Sequence, residues 1–72
     1  MEVGTVIRYN PLFKTMKNKG ISSYRLVKMG FPQSNYYAIK RGENISTHTV
    51  NNLCKLLQCK VEDILEYVED ET

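Results

Sequence analysis

A compact all-α fold of five short helices, preceded by a short β-prone segment, is what this sequence predicts. Three observations carry that prediction. Punctuating residues recur along the chain, at Asn10-Pro11, Gly20, Gly30, Pro32 and Gly42, the kinds of residue that start and stop helices. Between them, apolar residues return three and four positions apart, the spacing of one face of an α-helix. A length of 72 residues allows one domain with a limited core and leaves no room for a second. Residues 1–72 therefore read as a single unit.

Each element has its own signal. Asn10 offers a cap and Pro11 a first helical residue. Leu12, Phe13 and Met16 form the apolar stripe of that helix, and Gly20 ends it. Ser22 caps a short second helix with Leu26 and Val27 facing inward and Gly30 at its end. Phe31-Pro32 forms a turn. Pro32 opens a third helix that runs to about Lys40, with Tyr36 and Ile39 three apart on its buried face; Gly42 closes it. Ser46 caps a fourth helix, where Val50, Leu53, Cys54 and Leu57 fit the i, i+3, i+4, i+7 pattern. After a break near residues 58–60, a fifth helix is expected with Ile64, Leu65 and Val68 inward. Glu62 and Asp63 fall in its first turn, where the helix dipole favours acids. The helical domain thus covers residues 10–68, followed by an acidic tail at 69–72 that reads as solubilising. Helices this short cannot stand alone in water, so they must share a core.

The segment before them behaves differently. Thr5-Val6-Ile7-Arg8-Tyr9 is β-prone and has no obvious strand partner in the chain, so residues 1–9 read as an arm or strand. An unpaired strand edge is a liability that a two-fold symmetric copy removes. Residues 4–9 of two chains are therefore expected to pair as antiparallel strands in a homodimer.

Composition narrows the function. The formal net charge of +2 hides an asymmetry: all ten basic residues lie between Arg8 and Lys60, where Glu43 is the one acid, and six of the eight acids follow. A polyanion is drawn to such a surface, and nucleic acid is the common case. A merely solvated, unevenly charged surface explains the same count, so the charge needs a motif beside it. No apolar run exceeds four residues, far short of the roughly 20 that span a bilayer. The first residues lack a basic region followed by a long apolar stretch, so no secretory signal is expected and the cytoplasm is the expected location. Two cysteines, Cys54 and Cys59, with the single His48, fall short of the four ligands of a structural zinc site. Packing is the better reading for both thiols. No cofactor is expected.

The motif lies at residues 22–42. Two helices of about two turns each, separated by Met29-Gly30-Phe31-Pro32, have the form of a helix-turn-helix, whose second helix reads base edges in the major groove. At this point the residues resemble a family. Gly20-Ile21-Ser22, Leu26-Val27-Lys28-Met29-Gly30, Pro32-Gln33-Ser34, Ile39-Lys40-Arg41-Gly42 and Asn44-Ile45-Ser46 look like the lambda-repressor-like, Cro-type family of DNA-binding domains. The runs Val50–Cys59 and Asp63–Val68 are similar to a compact bacterial single-domain branch of it. The resemblance covers residues 10–69, with one departure: Ser22 to Gly30 is a residue shorter than in lambda-type repressors.

The helix-turn-helix gives roles to individual residues. On the exposed face of the third helix, Gln33, Ser34, Asn35 and Tyr37 are the candidate base readers. Gln and Asn can pair with N6 and N7 of adenine, and Tyr37 can pack on a thymine methyl or reach a phosphate. The resemblance places Arg41 and Asn44 against the DNA backbone, with Lys40 and Lys28 adding charge and Ser23 meeting a phosphate at the start of the second helix. An ordinary polar side chain facing solvent is the plain alternative for each of them. Double-stranded DNA is the expected partner, with no membrane and no small-molecule substrate. No convergent acid, base or nucleophile suggests an enzyme. The competing class is an antitoxin or phage-type control protein on the same fold that acts by binding another protein.

Overall fold

The computed structural model describes residues 4–70 of the chain, with side chains for residues 7–68. Residues 1–3 of the expected arm and 71–72 of the expected tail lie outside the described residues. Among the described residues there are four α-helices: α1 (Asn10–Lys19), α2 (Ser23–Lys28), α3 (Gln33–Lys40) and α4 (Thr47–Leu57). A 3₁₀ turn at Val61–Asp63 follows, and strands β1 (Gly4–Arg8) and β2 (Glu66–Asp70) join the two ends of the chain.

Local chemistry accounts for most helix boundaries. Gly20 ends α1 in the left-handed region at φ 68°, where a glycine has no Cβ penalty. Ser22 and Ser46 each accept a hydrogen bond from the backbone N–H three residues on, at Arg25 and Thr49. The start of α1 is one residue earlier than expected. Tyr9 holds the cap position without a side-chain cap bond, and Asn10 is already helical. Leu12 N–H instead reaches two carbonyls, those of Tyr9 and Ile64, so tertiary contact does what a side-chain cap was expected to do.

The core consists of Tyr9, Leu12, Met16, Leu26, Phe31, Ile39, Leu53, Leu57 and Ile64. Two of these were not foreseen as core. Phe31, assigned to a turn, is 1% exposed and belongs to the core cluster. Tyr9, assigned to the arm, is buried with its hydroxyl donating to the Glu43 carbonyl at 2.7 Å. Tyr36, expected to be buried, is only half-buried and packs on the core from outside, as does Cys54, and Val27 and Val50 are half-buried too.

The fifth helix is the main correction. Ile64 is buried as foreseen, but the chain after the 3₁₀ turn extends into β2. This strand pairs with β1 in antiparallel register, with Val6 opposite Val68, Ile7 opposite Tyr67 and Arg8 opposite Glu66. The segment thought to lack a partner in this chain has one. Three features favour the strand: β-branched and aromatic residues at Val68 and Tyr67, an opposite-charge cross-strand pair, and hydrogen bonds that β1 alone could not make. The fold is therefore four helices and a two-stranded ribbon. Thr15 Oγ1 donates to the Asp63 carbonyl at 2.8 Å, tying the turn before β2 to α1.

Candidate nucleic-acid interface

The helix-turn-helix is built from the inside out. Leu26 on α2 and Ile39 on α3 are buried in the common core together with Phe31 from the connecting turn. Within the turn, Gly30 has φ 115°, a conformation L side chains rarely adopt. Gly30 N–H donates to Val27 O at 3.0 Å and Phe31 N–H to Leu26 O at 3.3 Å. Pro32, with φ −61°, stands at the cap of α3. The helix is thereby delivered with Ile39 inward and its first turn outward.

That first turn carries Gln33 and Ser34, both exposed, while Asn35 is half-buried. Tyr37, one turn further, is 50% exposed. Ser23 from the start of α2 lines a shallow cleft with Tyr24, Val27, Gln33, Tyr36 and Tyr37. The structure thus brings Ser23, Gln33 and Tyr37 together on one surface. Gln33 Nε2 donates to the Tyr37 hydroxyl at 3.0 Å. Lys40, at the end of α3, is exposed and its ammonium lies 5.6 Å from the centre of the Phe13 ring.

Arg41 and Asn44, in the loop after α3, are exposed. Arg41 is not a free cation. Its guanidinium donates to both carboxylate oxygens of Glu43, at 2.7 and 3.2 Å, and the acid and base stabilise each other's charge. The hydrogen bond from Arg41 holds the Glu43 carboxyl below the usual carboxylate range, and the same contact holds Arg41 above its own. A phosphate would have to compete with Glu43 for the Nε edge of the guanidinium or bind at its Nη edge. Sequence reasoning missed this because Glu43 entered only as a count against the positive charge.

It also missed Tyr24, 71% exposed beside Ser23, with the Lys28 ammonium 5.4 Å from its ring centre. The i, i+4 spacing of these two on a helix surface was the available signal. Three other acids fall elsewhere. Glu62, Asp63 and Glu66 border a separate cleft with Asn10, Lys14 and Asn18 of α1, which shares no residue with the α2–α3 surface. Among the described residues no group of three or more His, Cys, Asp or Glu side chains is placed to hold a metal ion, and no helix is long and apolar enough to cross a membrane.

A family model for the Cro/C1-type helix-turn-helix DNA-binding domain matches residues 12–70. The chain belongs to this family. Among solved structures, this Cro/C1-type domain is similar to one described as the crystal structure of transcriptional regulator VanUg, form II. The two share 25% identity and a TM-score of 0.82 over 93% of this chain and 91% of that one. No curated protein matches the chain at a significant level. The matched span begins in α1, contains the whole α2–turn–α3 unit and ends in β2, so the ribbon's second strand lies within the domain as the family model delimits it.

Proposed function

We propose that this Cro/C1-type domain is a sequence-specific transcriptional regulator that lays α3 in the major groove of DNA. Gln33 and Ser34 meet base edges, with Asn35 and Tyr37 beside them, while Ser23, Lys40, Arg41 and Asn44 contact phosphates. The observation that carries the reading is the exposure of Gln33 and Ser34 on the first turn of a helix whose other side, at Ile39, is anchored in the core. In helix-turn-helix proteins it is the N-terminal part of the second helix that reaches the bases. The basic surface supplies the sequence-independent part of the affinity, and Glu62, Asp63 and Glu66 lie on a separate cleft, away from it. This reading involves no catalysis, cofactor or small-molecule substrate, and places the protein with its DNA in the cytoplasm.

The functional unit in this proposal is a homodimer joined through residues 4–9. β1 pairs with β2 along one edge only, and a two-stranded ribbon by itself is marginal in water. Joining two β1 strands extends it to four. The alternative edge belongs to Glu66-Tyr67-Val68-Glu69-Asp70, which would set acids against acids in a symmetric pair, whereas β1 is Gly4-Thr5-Val6-Ile7-Arg8 with one charge.

Selection of bound sequences from a random DNA library supplies the operator. Titration of wild type and Gln33→Ala against that operator and a scrambled duplex then tests the reader. Loss of a bidentate adenine contact should weaken specific binding by about 1–3 kcal/mol and relax preference at one base pair. Equal loss on both duplexes, or none on either, removes α3 as the reading element.

A further inference from the structure

The hydrogen bond between Gln33 and Tyr37 has no part in a simple contact between α3 and a base. Gln33 Nε2 donates to the Tyr37 hydroxyl at 3.0 Å across one turn of α3. A glutamine amide has two N–H donors and one acceptor oxygen. The contact occupies one donor and leaves the other, with Oε1, free of protein partners among the described residues on an exposed side chain. Adenine presents N7 as an acceptor beside the N6 donor, whereas guanine presents two acceptors, N7 and O6. The remaining N–H and Oε1 complement adenine. The arrangement that suits guanine, with both N–H groups directed at the base, is unavailable while Tyr37 holds one of them.

Tyr37 is itself held. Its ring lies 6.3 Å from that of Tyr36, tilted by 58°. Tyr36 meets Phe13 edge-on at 6.5 Å and 90°, and Phe13 packs directly against the core cluster. The edge-to-face arrangement is a favoured aromatic geometry, and both centroid separations lie within the range of interacting rings. A line of three rings therefore runs from the core to the hydroxyl that fixes the amide.

We infer that Tyr37 is a positioning residue, orienting the Gln33 amide for adenine and against guanine. The inference rests on the proposal that Gln33 meets a base in the major groove. It goes further by giving specificity to a side chain that acts through its neighbour.

The test is a double-mutant cycle on the full chain: wild type, Gln33→Ala, Tyr37→Phe and the pair together. Each is titrated at fixed salt against the selected operator, against the operator with A·T changed to G·C at the base pair that Gln33→Ala leaves unread, and against a scrambled duplex. Phenylalanine keeps the ring and its packing, so all four proteins should melt alike. Tyr37→Phe should reduce the ratio of adenine to guanine affinity by about threefold to tenfold, the range one net hydrogen bond covers. It should leave the scrambled duplex unaffected and add nothing in the Gln33→Ala background. An effect of Tyr37→Phe that persists at full size in that background, or falls equally on every duplex, assigns Tyr37 its own DNA contact and overturns the inference. An unchanged adenine-to-guanine ratio overturns it as well. Failure of Gln33→Ala to relax any base pair is a separate result; it removes the underlying base-reading proposal and the role of Tyr37 with it.

Discussion

Arg41 shows how a single residue takes its meaning from a neighbour two positions away. By type and position it suits the phosphate contact proposed for it, yet one edge of its guanidinium is taken by Glu43. Both side chains are more than half exposed, so solvent and salt weaken the pair and phosphate can compete for the arginine. Removing the competitor should help. Glu43→Gln is expected to strengthen binding to specific and scrambled duplexes alike, by about twofold to fivefold given the small worth of surface pairs. Arg41→Ala should then cost more in the Glu43→Gln background than in the wild type. Unchanged affinity of Glu43→Gln across duplexes would show that Arg41 does not need releasing. Tyr9 carries a different kind of information. Burial raises its hydroxyl pKa above the ordinary 10.0, outweighing a backbone hydrogen bond at Ile45 that acts the other way. The folded state thus holds this proton more tightly than the unfolded chain. Its contribution is complete below the ordinary value and fades as pH rises through the elevated one. Cys59, raised from 9.0 chiefly by burial, has the same sign. Melting temperature should therefore fall on the alkaline side of about pH 9–10. Tyr9→Phe should remove the tyrosine part of that slope, while costing about 1 kcal/mol at neutral pH through the lost bond to Glu43.

Among the elements, the turn between α2 and α3 sets where the proposed reader sits. Gly30 adopts φ 115°, and a Cβ placed there would meet nothing within 4 Å. The demand for glycine is thus conformational and not steric. Gly30→Ala should lower stability by about 1–3 kcal/mol from backbone strain alone, read as a shifted urea midpoint at constant slope. A midpoint within error of wild type would mean that the turn relaxes to another geometry. The ends of α1 and α4 contrast in the same way. Gly20 ends α1 at low conformational cost, whereas α4 ends at Gln58 with φ 52°, a left-handed position without a glycine. That ending is supported by Cys54 O, which accepts from both Gln58 and Cys59 N–H groups. The same crossing of the chain brings the two thiols side by side, unbonded and half-buried. Cys54→Ser should cost about 1 kcal/mol, at the low end for a hydroxyl placed in apolar surroundings, since the site is only half-buried.

For the whole molecule, the ribbon joins the two chain ends and leaves an outer edge on β1. The proposed dimer makes two linked expectations. Light scattering at tens of micromolar should give twice the chain mass, and the selected operator should be near-palindromic with half-site centres about 34–36 Å apart. A monomeric mass together with a single, asymmetric half-site would exclude edge pairing as the functional assembly. Salt dependence should be steep whatever the assembly, because phosphate contacts release counterions.

The sequence by itself determined the four helices, their order, the caps at Ser22 and Ser46, the glycine stops and the exposed first turn of α3. These are short-range matters. Helical hydrogen bonds join residues four apart, caps act over three, and a buried stripe shows as periodicity. Only the tertiary structure decided the fate of residues 64–70. Ile64, Leu65 and Val68 fit a helical spacing as well as Tyr67 and Val68 fit a strand, and periodicity cannot choose between them in so short a run. The choice came from β1, more than fifty residues away in sequence, whose backbone needs partners that only an adjacent strand provides. The burial of Phe31, the Glu43 contact to Arg41 and the hydrogen bond from Gln33 to Tyr37 were decided at the same level. Each depends on side-chain directions that are set when the helices pack around one core, and spacing along the chain does not specify those directions.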